Sequence, residues 1–228
     1  KRVTWLDSYA FKDSPNLKEI IFQGNKPELG DQVFSGISSE AIIRIQETSR
    51  GFDSFLDGIP VGYMDSVVNF LIQDEVRYLL HDGAASVVAY TSNRRVDITI
   101  PEEIEGLPVT SIGNECFADS NFSSISLPAT ITSIGRGAFR NANLRSIALP
   151  DGLLTLGESA FQGTQIGSIS IPDSVSSIGS QCFMECTNLE TVKLPVNDEF
   201  KVIEPNTFRN SSISEIIIPD SVEAIERL

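Results

Sequence analysis

The amino-acid sequence predicts a solenoid made mostly of β-structure, and two columns of recurring residues predict it. An apolar residue followed by proline recurs at steps of 22, 22, 23 and 24, at Leu127-Pro128, Leu149-Pro150, Ile171-Pro172, Leu194-Pro195 and Ile218-Pro219. A phenylalanine recurs at steps of 22, 22, 22 and 25, at Phe117, Phe139, Phe161, Phe183 and Phe208. Self-similarity at a fixed period of about 20 to 50 residues is typical of solenoids and propellers.

The first part of each repeat predicts a short β-strand, and residues 144–150 (LRSIALP) show the pattern. Leu144, Ile147 and Leu149 follow the L-x-x-L-x-L strand signature of leucine-rich repeats. On a strand, Ile147 and Leu149 point to one face and the residues between them to the other. Pro150 has no N–H to donate to a neighbouring strand, so the paired stretch ends there.

The second part of each repeat predicts a corner and one turn of helix. Leu153 and Leu156 form an apolar cluster that turns the chain, and residues 157–161 (GESAF) are predicted to be one helical turn. The first of these positions favours a helix N-cap, because glycine and aspartate, which are both frequent caps, occupy it in different repeats. Its occupants are Gly157, Gly30, Gly113, Gly135, Gly179, Asp7, Glu204 and Glu226.

The phenylalanine column is predicted to be the core of the solenoid, because large apolar residues at a fixed register bury one another. No single repeat can bury its own apolar edges, so the stability has to come from neighbouring coils. Cys116 and Cys182 stand in the slot that Ala138 and Ala160 fill, directly before the phenylalanine. We expect Cys116 and Cys182 to be buried, and all three cysteines, Cys186 included, to be free thiols.

The repeat pattern divides the chain into four segments. Residues 1–45 predict the end of a first repeat array, and residues 46–65, which contain three glycines and a proline, predict a loop or linker. Residues 66–100 predict a β-meander cap that opens a second array, with strands at 67–72, 76–80 and 85–90 and the first regular strand of the array at 98–100. Residues 101–228 predict the second array, and both chain ends fall inside a repeat, so we expect a piece of a longer protein.

Composition and chemistry-bearing residues favour no catalytic site. The net charge of −14 and the isoelectric point near 4.4 argue against nucleic-acid and anionic-membrane partners. His81 is the only histidine, and nothing in the sequence supplies it with a nucleophile and an orienting acid. The acidic pairs Glu102-Glu103 and Asp198-Glu199 lack the ligand spacing of a calcium loop. The sequence therefore predicts no catalytic residue, cofactor site, metal site or membrane span.

The outward side of the strands is the best candidate for a binding surface. Its residues flank the central apolar position of successive strands, and most of them are small and hydroxylated. They are Ser124, Ser126, Ser146, Ala148, Ser168, Ser170, Thr191, Lys193, Glu215 and Ile217. These residues form either an extended protein-binding face, which solenoids commonly offer, or merely solvated positions compatible with β-structure. The face lacks Trp, Tyr and Arg anchors, so strong binding would require several repeats to act together.

The repeats resemble the BspA-type leucine-rich repeats of bacterial surface proteins. Residues 109–117 (VTSIGNECF) and 171–179 (IPDSVSSIG) carry the resemblance, residues 100–110 resemble the usual opening of such an array, and residues 22–37 resemble its usual last repeat. The resemblance covers almost the whole chain and implies a surface-exposed or secreted protein, chiefly of host-associated bacteria, although protozoan members exist. It implies adhesion to host extracellular-matrix or cell-surface proteins, and it supplies no catalytic residues.

Together these observations predict a leucine-rich repeat solenoid that is mostly β, with one short strand and one turn of helix in each coil and a β-hairpin or meander cap inside the chain. Three functional hypotheses remain open. The first is a non-enzymatic surface module that binds proteins or glycans. The second is a structural spacer that displays another domain, and the third is an accessory region of a larger surface enzyme.

Overall fold

The computed structural model describes residues 3–38, 41–46, 49–51, 55–56, 59–63, 69–92 and 97–226. Its backbone divides into two compact units, one of Lys1–Phe70 with Leu79–Asp82 and one of Leu71–Tyr78 with Gly83–Leu228. Both units consist of short strands and turns in repeated coils, and no helix occurs among the described residues. The prediction of a mostly β leucine-rich repeat solenoid with an internal meander is confirmed.

The described residues of the first unit up to Tyr63 form six strands in two ladders. They are β1 (Trp5–Leu6), β2 (Glu19–Phe22), β3 (Glu28–Leu29), β4 (Ile42–Ile45), β5 (Phe55–Leu56) and β6 (Ile59–Tyr63). Strand β1 pairs with β3, and β2, β4 and β6 form a second parallel ladder to which β5 adds in the antiparallel sense. Val33, Phe34 and Ile43 are buried in its core. Strands β5 and β6 lie inside the predicted loop at 46–65, so that segment is not wholly a loop.

Three longer strands follow, as the predicted meander requires. They are β7 (Asn69–Gln73), β8 (Val76–His81) and β9 (Ala84–Tyr90), and they lie side by side in that order. Residues 67 and 68 of the first predicted strand lie outside the described residues. The two-residue turns have positive φ at both positions, Asp74 and Glu75 in one and Asp82 and Gly83 in the other. Such turns match the twist of the paired strands, which is why they are favoured in hairpins.

The rest of the second unit has two strands in most coils. They are β10 (Ile98–Thr99), β11 (Glu103–Ile104), β12 (Leu107–Ile112), β13 (Ser124–Ser126), β14 (Ser133–Ile134), β15 (Ser146–Ile147), β16 (Thr155–Leu156), β17 (Ser168–Ser170), β18 (Ser177–Ile178), β19 (Thr191–Lys193), β20 (Val202–Ile203) and β21 (Ala224–Ile225). The first strands of successive coils pair in β10-β13-β15 and β17-β19, and the second strands pair in β9-β12-β14-β16-β18 and β20-β21. Leu156, predicted to turn a corner, instead lies on one of these second strands.

The segment that carries the phenylalanine is not helical, so the predicted turn of helix is wrong. The residue two positions after the glycine slot has positive φ in every full repeat, at Tyr9, Gln32, Glu115, Gly137, Ser159, Gln181 and Asn206. An α-helix needs negative φ throughout and N–H bonds to the residue four positions earlier. Here the amides of Phe139 and Phe161 donate to Ala160 O at 2.8 Å and Cys182 O at 2.9 Å, in the next coil. Hydrogen bonds between coils therefore replace bonds within a helix.

The N-cap interpretation of the glycine slot fails with the helix, and close packing explains the glycine instead. A Cβ atom added to Gly157 would lie 2.5 Å from Arg136 N and 2.6 Å from Gly135 C in the preceding coil. Real Cβ atoms do not approach a backbone so closely, because interiors are packed at crystal-like density. Glycine is needed here because two coils nearly touch.

The phenylalanine column forms the core of the second unit, as predicted. Phe117, Phe139, Phe161 and Phe183 are completely buried. Their rings stack with centroids 5.2 to 5.4 Å apart, and Phe183 stacks on the half-buried Phe208 at 5.7 Å. All three cysteines are buried and free, which confirms that expectation. Burial raises the pKa of each thiol, so the native protein presents no reactive thiolate.

Candidate functional site

Seven of the ten residues of the candidate face lie on β13, β15, β17 and β19, and Ala148 directly follows β15. Glu215 and Ile217 lie in the last coil, where Glu215 forms an isolated bridge to Thr191. Nine of the ten are exposed and Ser124 is half-buried, whereas the central residues Ile125, Ile169 and Val192 are buried. The alternation follows from the period of two in a β-strand, which sends neighbouring side chains to opposite sides. We name the ten outward residues the strand face.

Parallel pairing sets much of the strand face in register. Ser124 pairs with Ser146, Ser168 with Thr191, and Ser170 with Lys193. Thr191 in turn bridges Glu215. Since paired strands lie about 4.8 Å apart, each pair places two polar side chains side by side. The structure thus brings residues that are about 22 positions apart in sequence into two rows, one across β13 and β15 and one from β17 through β19 to Glu215.

The character of the strand face changes along these rows. At Ser124, Ser126, Ser146 and Ala148 the side chains are small, so the backbone is accessible and the surface is flat. At the other end, Lys193, Glu215 and Ile217 carry longer side chains, two charged and one apolar. Ile217 is 79 % exposed, which is unusual for a large aliphatic residue. The two ends therefore offer different chemistry to a partner.

A loop next to Lys193 is held by hydrogen bonds that sequence reasoning did not find. The Lys193 ammonium lies 3.6 Å from Asp173 Oδ1, which also accepts the Val196 N–H at 3.0 Å. The bond from Val196, and then the charge of Lys193, hold the pKa of the Asp173 carboxyl below its usual range. Asn197 donates to Asp173 O and Val175 O at 2.7 and 2.8 Å and accepts the N–H groups of Glu199 and Phe200.

This loop was recognisable in the sequence only as an irregularity of spacing. The step from one Leu/Ile-Pro pair to the next lengthens to 24 residues there, which indicates an insertion. Nothing in the spacing shows that Asn197 fastens the insertion to the preceding coil. Val196, which lies in this loop, is 66 % exposed.

A groove of about 460 Å³ lies at this end of the strand face, and we name it the C-terminal groove. Four residues of the strand face, Thr191, Lys193, Glu215 and Ile217, contribute to it. The other lining residues are Glu190, Val192, Leu194, Val196, Ser214 and Pro219. Its volume is within the range of about 300–1,000 Å³ that is typical of ligand sites. The sequence predicts the outward position of its strand-face residues but gives no sign of a concavity there.

The residues considered for chemistry do not assemble into a site. His81 ends strand β8, and its Nδ1 lies 3.7 Å from Asp82 Oδ2 on the adjacent turn. Among the described residues, no group of three or more His, Cys, Asp or Glu side chains is placed to hold a metal ion. No helix in the described part of the chain has the length and apolarity that crossing a membrane requires.

Comparison with known proteins gives a consistent picture. The family model of the BspA type leucine-rich repeat region matches in six copies, over residues 1–56 and 110–228. No curated protein matches the chain significantly.

Two solved bacterial structures share the fold. One is a leucine-rich cell surface protein from Faecalibacterium prausnitzii, with a TM-score of 0.52 and 24 % identity over 70 % of this chain and 51 % of that chain. The other is the pneumococcal vaccine antigen PcpA, with a TM-score of 0.58 and 19 % identity over 70 % of this chain and 46 % of that chain. The matched part spans about half the length of each.

Proposed function

Because the chain belongs to the BspA-type leucine-rich repeat family, we propose that it is a non-enzymatic binding module of a cell-surface or secreted protein. In this proposal the module contacts partner proteins through the strand face. The partners are extracellular-matrix or cell-surface proteins of a host, with glycans as a further possibility for the same surface, and the role is adhesion.

The observation that carries this proposal is the flat, exposed and regular strand face. Ser146, Ser168 and Ser170 are exposed, and their hydroxyls can donate and accept hydrogen bonds with little loss of side-chain freedom. A surface of this kind extends over several coils, which is how solenoid proteins present large binding areas. Each coil adds a small contribution, so affinity grows with the number of coils that a partner covers.

Two further observations support the proposal. One of the bacterial proteins with the same fold is described as a cell surface protein, which fits an extracellular location for this module. The buried phenylalanine column and the bonds between coils make the framework rigid, so the face is ordered before a partner arrives. Preorganisation of this kind lowers the entropic cost of binding.

The proposal is tested by placing bulk and charge on the strand face. The double variant Ser168→Arg, Ser170→Arg adds two long cations to adjacent exposed positions and should weaken binding to immobilised fibrinogen, fibronectin or host cells at least about tenfold, equivalent to 1.4 kcal/mol. Surface plasmon resonance with the full chain measures the change.

The matched control is the double variant Thr155→Arg, Ser177→Arg. Thr155 and Ser177 are also exposed, and they pair with each other on the second strands β16 and β18. The control should bind like the unaltered chain. If the Ser168→Arg, Ser170→Arg variant also bound like the unaltered chain, the strand face would not be the site. If the unaltered chain bound none of these partners, the spacer hypothesis would be favoured.

A further inference from the structure

The outward residues of the last coil differ from those of the other coils on the strand face. In the other coils the two outward positions hold serine, alanine or threonine, with Lys193 as the exception. In the last coil they hold Glu215 and Ile217, which flank the half-buried Ile216. Residues two apart in an extended segment point to the same side and lie about 6–7 Å apart. The last coil therefore presents a carboxylate beside a large aliphatic side chain, and both line the C-terminal groove.

The first unit contains the same outward pair and shows what it accommodates. Glu19 and Ile21 flank Ile20 on β2, in a Glu-Ile-Ile sequence that recurs at residues 215–217. On the neighbouring strand β4, Arg44 is the register partner of Ile21, and its Nε lies 3.5 Å from Glu19 Oε1. Only 17 % of the Arg44 side chain is exposed. An outward Glu-x-Ile pair thus accommodates one arginine, whose stem lies beside the isoleucine and whose guanidinium meets the carboxylate.

The carboxylates of the C-terminal groove are not matched by a cation of this chain. Within the described residues neither Glu215 nor Glu190, which also lines the groove, forms an ion pair. Lys193 is the one cation among the lining residues, and its ammonium lies 3.6 Å from Asp173. Asp173 belongs to the coil before Lys193, whereas Glu215 belongs to the coil after it. The resulting negative field attracts a cationic group from outside the chain.

The apolar part of the groove suits the stem of a long basic side chain. Ile217 and Val196, which both line it, are the two most exposed large apolar residues of the described chain. Long basic side chains bury their aliphatic stems on such surfaces and leave the charged head free to pair. Asn197 donates to two carbonyls of the preceding coil and so holds the loop that carries Val196. This wall is therefore formed without a ligand.

We propose that the C-terminal groove binds one arginine side chain of a partner protein. Its guanidinium pairs with the Glu215 carboxylate, as Arg44 pairs with Glu19, and its stem lies against Ile217 and Val196. Arginine fits this role because its planar donors match a carboxylate and because it is weakly hydrated, and it is enriched at the hot spots of protein interfaces. This inference rests on the proposed protein-binding function and identifies the side chain that a partner inserts at one end of the strand face.

The test titrates the isotopically labelled full chain with arginine blocked as its N-acetyl N-methylamide and follows the backbone amides by NMR. The amides of Thr191, Glu215 and Ile217 should shift saturably, with a dissociation constant of about 1–10 mM, as expected of so small a ligand. Added salt should weaken the binding. Blocked citrulline has the same length and shape without the charge, so it should bind at least about fivefold more weakly.

Variants of the chain locate the binding. Glu215→Gln removes the carboxylate charge at constant size and should weaken the binding of blocked arginine at least about fivefold. The matched control Glu185→Gln removes another exposed carboxylate, outside the groove, and should change the affinity less than about twofold. Ile217→Ser inserts the residue found at the equivalent positions Ser126 and Ser170. It should weaken the binding at least about threefold, because the stem loses an apolar contact.

Several results would overturn the inference. Absence of saturable shifts at the groove, equal affinity for blocked citrulline, or unchanged affinity in Glu215→Gln would each do so. Shifts of the same amides with the concentration of the chain alone, abolished in Glu215→Gln, would assign the groove to a second copy of this chain. If blocked arginine fails to bind while the Ser168→Arg, Ser170→Arg variant still loses fibrinogen or fibronectin, this inference fails and the proposed function stands.

Discussion

At the scale of the residue, the phenylalanine column shows how a repeat turns one side chain into a continuous core. Each ring lies at the same register of its coil, so neighbouring rings are almost parallel, with interplanar angles between 2° and 11° in the second unit. Rings at these centroid distances prefer an offset stack, which adds to the energy of burial. Phe161 has a stacked neighbour on both sides, whereas Phe208 stacks on Phe183 and is only half-buried.

Removing a ring from the interior of the column should therefore lower the stability of the protein strongly. We expect Phe161→Ala to lower the free energy of unfolding by about 3–5 kcal/mol, because it removes a fully buried ring and leaves a cavity. Chemical denaturation followed by fluorescence measures this. The matched variant Phe208→Ala should cost clearly less, since that ring is partly exposed. A loss under about 1 kcal/mol for Phe161→Ala would contradict the stacking of the coils.

At the scale of the element, the segment between the second strand and the next first strand is defined by contacts between coils. Residues such as Ser159 and Gln181 have positive φ without being glycine, which costs roughly 1–2 kcal/mol for an ordinary residue. Bonds to the next coil offset that cost, as in the donation from Ser159 N to Ser180 O at 2.9 Å. The glycine slot before these residues keeps the coils close enough for the bonds to form.

A methyl group in the glycine slot should disturb this spacing. Gly157→Ala should lower the free energy of unfolding by about 1–3 kcal/mol, because its Cβ would overlap the backbone of Gly135 and Arg136. Gly152→Ala is the matched control, since its Cβ would meet Ala129 O at 3.4 Å, close to ordinary contact. The control should change stability by less than about 0.5 kcal/mol. Equal effects in thermal denaturation would mean that glycine at position 157 serves another purpose.

At the scale of the whole molecule, stability comes from contacts between neighbouring coils. In the second unit, the amide of Phe139 donates to the following coil. Its ring stacks on the rings of Phe117 and Phe161 in the coils on either side. The bonds of Glu223 and Glu226 to Lys201 and Ile203 join the last described coil, where many side chains are exposed. Repeat proteins of this kind gain stability as a sum of terms between nearest neighbours.

Hydrogen exchange should show that local stability falls from the interior coils to the last described coil of the second unit. The amides of Phe139 and Phe161 should exchange much more slowly than those of Glu223 and Glu226, because opening an interior coil breaks contacts on two sides. Exchange measured by NMR on the full chain resolves these positions. Uniform protection from Phe139 to Glu226 would instead indicate that the unit opens only as a whole.

The periodicity of the chain determined the fold class and the register of its core. A phenylalanine every 22 residues cannot be buried by its own short repeat, so stacking of coils followed from the sequence. The outward direction of Ser168 and Ser170 followed from the alternation of a strand. The solenoid and its core were therefore predictable, and so were the exposed positions of the strand face.

Only the tertiary structure decided how the chain runs between those positions. The sequence favoured a helical turn at residues 157–161, since short-range patterns cannot show that the amides find partners in the next coil. Glycine at position 157 likewise has a tertiary cause, because a Cβ there would lie 2.6 Å from the carbonyl carbon of Gly135. These two residues are 22 positions apart in the sequence. The C-terminal groove is lined by residues of two coils, so no single repeat reveals it. Local preferences specify each strand, whereas spacing and pairing between coils are set by packing.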